Sequence, residues 1–125
     1  MPETGSEFGQ VLFEAVDEGL LVLGESGRNA VYFHLQNLYS LKREDISGKP
    51  EAFVENLRKI FGMGAEIIEK AILRSLYCKL GLTYEEKKNH DFIMYVNDAK
   101  NTAEQERRQE ITVDFSIRQT VDEPI

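Results

Sequence analysis

Residues 50–82 carry the densest helical pattern in the chain, and the remaining segments are read outward from them. Two amphipathic stretches meet there at the glycine turn Gly62-Met63-Gly64. At 100° per residue, Ala65, Ile68, Ile72, Leu73, Leu76 and Leu80 of the second stretch fill one broad arc. Ile67, Ala71 and Cys78 extend the arc round the other side, which leaves Glu66, Lys70, Arg74 and Tyr77 as a narrow polar strip. A helix that is apolar nearly all round is enclosed by its neighbours. The pattern therefore places residues 65–80 at the centre of an all-α domain. In the first stretch Phe53, Leu57, Ile60 and Phe61 form the inner stripe, and Pro50 suits the first turn of a helix.

The flanking segments predict three further helices. Phe8, Leu12, Ala15, Val16, Gly19, Leu20 and Leu23 share one face, with Gln10, Glu14, Asp17 and Glu18 on the other. A glycine inside a helix costs ~1 kcal/mol against alanine, so Gly19 on the apolar face points to close approach by another helix. Gly24 is a natural stop and Ser26 an N-cap for the next helix, whose inner face is Val31, Leu35, Leu38 and Leu41 with Tyr39 beside them. The short link predicts an antiparallel helical hairpin. Leu41 and Ile46 anchor the charged turn 42–45, and Ser47-Gly48-Lys49 reads as loop. Gly81 ends the central helix, with Leu82 folding back onto Tyr77 in a Schellman contact. Thr83-Tyr84-Glu85-Glu86 has the form of a capping box for a fifth helix, with Tyr84, Phe92, Tyr95, Val96 and Ala99 inward. Past Ala99 the stripe fades, and residues 111–117 alternate apolar and polar like a strand with no partner in the sequence. The expected organisation is a flexible start at 1–7, a compact five-helix bundle at 8–100 and a C-terminal extension at 101–125 holding one strand-like segment.

Leu41-Lys-Arg-Glu-Asp-Ile46, Pro50-Glu-Ala-Phe-Val-Glu-Asn-Leu-Arg-Lys-Ile-Phe-Gly62 and Gly64-Ala-Glu-Ile-Ile-Glu-Lys-Ala-Ile72 occur in that order. Through them residues 17–100 resemble an archaeal family named for Nitrosopumilus output domains, the fifth type. The resemblance implies a small helical module, standing alone or attached to archaeal signalling proteins, with no established activity. It carries over no functional residue, and the tail from Asn101 lies outside the pattern.

Composition narrows the setting. A chain of 125 residues suits one domain. At that length folding removes roughly two-thirds of the unfolded surface from water, so a core forms without staples. Cys78 is the only cysteine, which excludes an intrachain disulfide and fits a reducing cytosol. Residues 1–7 lack the basic start and apolar run of a signal peptide. The longest aliphatic run, Leu20 to Leu23, is far too short to span a membrane. A cytoplasmic protein that enters no membrane is expected.

Candidate chemistry is sparse. His34 falls among Leu38 and Leu41 on an inner face and reads as a buried, hydrogen-bonded histidine rather than a ligand, since no second ligand accompanies it. His90 projects to the outer face of its helix. Cys78 lies on the apolar flank near a helix C-terminus, where the dipole opposes a thiolate, and reads as packing. One cysteine and two histidines do not assemble an ordinary structural zinc site, and no Glu-x-x-His pair or calcium loop is present. Glu14, Asp17 and Glu18 cluster on an outward face as a solvated acidic strip. Gly62-Met63-Gly64 lacks the Gly-Lys-Ser/Thr ending of a phosphate loop and follows a helix, not a strand. No catalytic, metal or cofactor residue is assigned.

The expected function is that of a non-enzymatic protein-interaction module, with a protein partner or self-association through the tail. There Ile111, Val113, Phe115 and Ile117 line one face and would pair by strand addition. The rival is a helix-turn-helix DNA-binding regulator built on residues 50–80. A recognition helix presents its N-terminal residues to base edges, and here those include Glu66 and Glu69. With a net charge of −7 besides, the chain repels phosphate. A gel shift at near-physiological salt is expected to show no sequence-selective complex at sub-micromolar concentration; such a complex would promote the rival reading.

Overall fold

The computed structural model of the protein describes residues 4–105. Among them the chain is all-α and contains no strand. The elements are α1 (Thr4–Gly19), a 3₁₀ turn (Leu20–Leu23), α2 (Gly24–Tyr39), a 3₁₀ segment (Arg43–Gly48), α3 (Pro50–Phe61), a second 3₁₀ turn (Gly62–Gly64) and α4 (Ala65–Lys79). Residues 92–105 are helical as well, up to the last residue described. None of these helices is long and apolar enough to cross a membrane. The proposed strand at 111–117, with Ile111, Val113, Phe115 and Ile117, lies outside the described residues.

α1 and α4 form the principal helix pair. Phe8, Leu12, Ala15, Val16 and Leu20 of α1 and its 3₁₀ extension are buried, as the helical spacing requires. They meet Ala65, Ile68, Ile72, Leu73 and Leu76 in one continuous core. At the crossing, Gly19 lies against the α4 backbone. A Cβ added there would stand 2.7 Å from Ile72 Cα and 2.8 Å from Ile72 N. The close approach expected of Gly19 is therefore present, and its partner is Ile72.

α3 presents Phe53, Val54 and Leu57 to the core, with Ile60 and Phe61 half-buried. Leu41 and Ile46 are buried on either side of the charged turn. The glycine turn reverses the chain at Gly62, whose φ of 59° is open only to a residue without a Cβ penalty.

Four details depart from the sequence expectations. α1 does not run to a stop at Gly24. It passes into the 3₁₀ turn, and Gly24, with φ 82°, opens α2 two residues ahead of Ser26. The tighter turn keeps the chain coiled while the glycine redirects its axis. α1 then packs chiefly on α4, and α2 reaches it through long side chains rather than as a close hairpin.

Leu38 is 64 % exposed. α2 buries only Val31, Tyr32 and Leu35, so its inner stripe is narrower than the apolar positions suggest. α4 is likewise not enclosed all round: Ile67 is 70 % exposed and Cys78 is exposed. Tyr77, expected on the polar strip, is buried, and so is Glu69. Polar side chains go inward there because each finds a partner, described below.

The capping box at Thr83 forms no helix. Residues 82–91 are irregular, and the helical run begins at 92. The side chain that caps it is Asp91, whose Oδ1 accepts the Met94 N–H at 2.9 Å. Upstream, the Schellman ending is as anticipated. Gly81 has φ 73°, the Leu82 N–H bonds the Tyr77 carbonyl at 2.8 Å, and the Gly81 N–H bonds that of Cys78 at 3.0 Å. Phe92, Tyr95, Val96 and Ala99 then bury against the core.

Three substitutions test this packing. Ile72→Ala or Leu76→Ala, each fully buried, should cost about 2–5 kcal/mol in denaturant unfolding. Gly19→Ala should destabilise by about 1–3 kcal/mol, because overpacking against backbone outweighs alanine's helical advantage. A Gly19→Ala variant that is more stable than the parent would refute the close crossing.

Candidate functional site

A shallow cleft of about 600 Å³ opens where the glycine turn, α4, the irregular segment 82–91 and the helical residues 92–105 come together. Its walls combine Tyr84, Phe92 and Tyr95 with charged groups, among which Arg58 is paired with Glu69 and Lys70 with Glu86. Arg58 reaches across from α3 and holds Glu69 in a two-pronged bond, Nε to Oε2 at 3.0 Å and Nη2 to Oε1 at 3.2 Å. The Glu69 side chain is only 8 % exposed, so this bond is what permits a carboxylate at that depth. In return, the hydrogen bond to Glu69 holds the Arg58 proton more firmly than usual. Lys70 Nζ lies 3.4 Å from Glu86.

The far wall is a tyrosine cluster. Tyr77, Tyr84 and Tyr95 stand edge to face or tilted, at 5.5 and 5.3 Å between successive ring centroids. Tyr77 OH donates to the Tyr95 carbonyl at 2.7 Å, and the Lys87 N–H donates to Tyr95 OH at 2.6 Å. These bonds pin the irregular segment to α4 and to the helical run. His90 packs its ring on Tyr95 at 4.5 Å and places Nε2 2.6 Å from Asp98 Oδ2. It is thus a half-buried bracing residue that precedes the helix, not an outward one upon it.

A second polar cluster joins α1, α2 and the 3₁₀ segment. Asp17 accepts from Arg28 Nη1 at 3.1 Å, Tyr32 OH at 2.9 Å and Arg43 Nη2 at 2.6 Å. The Arg43 guanidinium also covers the rings of Tyr32 at 4.8 Å and Phe13 at 5.3 Å. Burial, and then the bond to Asp17, push the Tyr32 phenol well above its ordinary range. Nearby, Glu18 accepts from Ser75 Oγ at 2.8 Å and pairs with Lys79 at 2.7 Å. Those partners, Lys79 first, hold its carboxyl below the usual range. Glu14 lies 3.8 Å from the same lysine. Glu14 and Glu18 are exposed, as a solvated acidic strip requires, and together with the half-buried Asp17 they also link α1 to its neighbours.

His34 is exposed, with an edge contact to Phe33 at 6.3 Å between centroids, and is not a buried histidine. It sits on the side of α2 that no other element covers. Cys78 is exposed and makes no core packing. Among the described residues, no three histidine, cysteine, aspartate or glutamate side chains converge as a metal cage would require.

Sequence reasoning did not find the Arg58–Glu69 pair, the Asp17 cluster or the His90–Asp98 bond. The usable signal was charge at otherwise inward positions. Glu69 falls within the apolar arc of α4, between Leu76 and Leu80, and Asp17 adjoins the buried Val16. The large uncovered side chains of α2, Phe33 at 66 % and Leu38 at 64 % exposure, were also not foreseen. In comparisons with family models, curated proteins and solved structures, the chain matches none.

The tyrosine cluster yields a pH prediction. Burial, reinforced by Asp98, pushes the Tyr77 phenol up to about 12, against an ordinary value near ~10. A folded-state value above the unfolded one gives stability that is complete below the unfolded value and lost as pH rises through the folded one. Stability should therefore fall between about pH 10 and 12, and Tyr77→Phe should flatten that fall. Urea unfolding of both proteins from pH 8 to 11 checks it, and parallel pH profiles would contradict it.

Proposed function

We propose that the protein is a small non-enzymatic signalling or protein-interaction module of the archaeal cytosol. The observation that carries this reading is the uncovered face of α2, where Phe33 and Leu38 stand in water. The two side chains lie about 140° apart round the helix, so Phe33 is the contact point proposed, aromatic side chains being enriched in protein interfaces. The cleft supports the same reading from the other direction. Of its lining, Arg58 pairs with Glu69 and Lys70 with Glu86, while His90 turns to Asp98 outside it, contacts that suit a structural brace. The archaeal and signalling parts of the proposal draw on the resemblance of residues 17–100 to the output-domain family. Glu66, exposed on the first turn of α4, counts against the DNA-binding alternative, because a recognition helix offers that turn to phosphate and bases.

The proposal takes the helical run 92–105 as the fifth helix of a compact bundle and keeps the tail as a second contact element. Ile111, Val113, Phe115 and Ile117 would pair with another chain by strand addition. Deleting residues 108–125 tests that part, since weaker association than that of the full chain, at unchanged helix content, would support it.

Affinity capture from the native host decides the main reading. Wild-type protein should retain partners that the doubly substituted Phe33→Glu, Leu38→Glu protein loses at unchanged helix content. Equal capture by both proteins would remove the α2 face from the proposal. Loss on Tyr84→Ala instead would move the site to the cleft.

A further inference from the structure

We infer that the outer face of α2 pairs with the same face of a second copy, the two helices running antiparallel about a two-fold axis between positions 31 and 32. This rests on the interaction-module reading and narrows it to one partner.

Three features favour a second copy. The first is charge. The protein is 30 % charged, yet the sixteen residues of α2 hold only Glu25 and Arg28. Arg28 turns inward to Asp17. Two molecules of net charge −7 repel over most of their surfaces, and this face lets them meet without opposing like charges.

The second feature is spacing. Ser26, Ala30, Phe33 and Asn37 are all exposed and recur at steps of four, three and four, which draws one straight stripe along the helix. The stripe is symmetric about its midpoint. In an antiparallel pair Phe33 of each copy falls opposite Ala30 of the other, so a large side chain meets a small one twice. Asn37 falls opposite Ser26. The lone carboxylate, Glu25, projects more than about 90° away from the stripe and stays clear of the contact.

The third feature is polar character. The polar partners in this match, the Ser26 hydroxyl and the Asn37 amide, both donate and accept hydrogen bonds. Such groups satisfy copies of themselves, as a two-fold interface demands, whereas a face built to meet a charged partner would carry the opposite charge.

Sedimentation equilibrium of the full chain up to several hundred micromolar tests the pairing. Wild type should form a dimer, and Phe33→Glu should raise its dissociation constant at least tenfold with unchanged helix content. Phe33→Ala should weaken it as well, and adding Ala30→Phe to that variant should restore it, because the exchange puts large opposite small again. In a Cys78→Ser background, an equimolar mixture of Ser26→Cys and Asn37→Cys proteins should form a disulfide faster than Ser26→Cys alone; the reverse order would overturn the antiparallel arrangement. A wild-type protein that stays monomeric throughout, or a Phe33→Glu protein that stays dimeric, overturns the proposal. If wild type is monomeric while Phe33→Glu, Leu38→Glu still loses its captured partners, self-pairing falls and the interaction-module reading stands.

Discussion

The contact between Gly19 and Ile72 sets the distance between α1 and α4, and most of the core follows from that distance. With no side chain at position 19, the α1 backbone comes within van der Waals range of the α4 backbone. The larger residues to one side, Leu12, Ala15 and Val16, then interdigitate with Ile68, Leu73 and Leu76 in a single cluster. Interiors of this kind are packed to crystal density, so neither helix can shift by an ångström without opening a gap or forcing an overlap. The glycine weakens the helix locally by about 1 kcal/mol. Burying side chains such as Ile72 and Leu76 contributes about 1.5–3 kcal/mol each, which more than offsets that loss.

Polar links act at the margins of this core and fix what the apolar contacts leave free. Dispersion and water exclusion favour closeness but are indifferent to small rotations of one helix about another. Asp17, held by Arg28, Tyr32 and Arg43 at once, sets how α2 and the 3₁₀ segment lie on α1. Arg58 and Glu69 do the same for α3 on α4. Exposed ion pairs alone contribute little. These differ because one partner in each is sheltered, so the geometry is enforced by the cost of leaving that partner unpaired.

How far the sequence disclosed this arrangement depended on the kind of force involved. Ile72, Leu76, Phe53 and Leu57 were legible because apolar periodicity reports burial directly. Gly19 was legible because a glycine on an apolar helix face weakens the helix and gains only room for a neighbouring backbone. Gly81 and Leu82 were legible because a Schellman ending is local chemistry. The errors share a cause. Polarity alone puts Tyr77 and Asp17 outward and offers Glu69 to solvent. Each is drawn inward by a partner far along the chain, which no local pattern encodes. Thr83 lost the capping role to Asp91 because both segments carry cap-forming residues, and tertiary contacts with Tyr95 chose between them. His34, Leu38 and Cys78 were placed inward by periodicity, but no neighbouring element covers their side of the helix. The uncovered α2 face escaped for the same reason.

The irregular segment 82–91 has a different bearing on the molecule. Its ten residues sit between a closed helix ending and a freshly capped helix start, so both flanking elements are terminated by their own hydrogen bonds. Its attachment to the body runs through Leu82 and the Tyr84 ring between Tyr77 and Tyr95, the Lys87 amide on Tyr95 and His90 on Asp98. Segments bounded in this way tolerate changes of length and composition better than the elements they join. They are where related chains diverge while keeping a common frame. The segment also forms one wall of the cleft. Replacement of the exposed Glu85 and Glu86, or insertion at Lys88 and Asn89, would therefore recast the shape and charge of that recess and leave the crossing of α1 and α4 untouched. The fold separates a part that must be conserved to exist from a part that is free to acquire specificity.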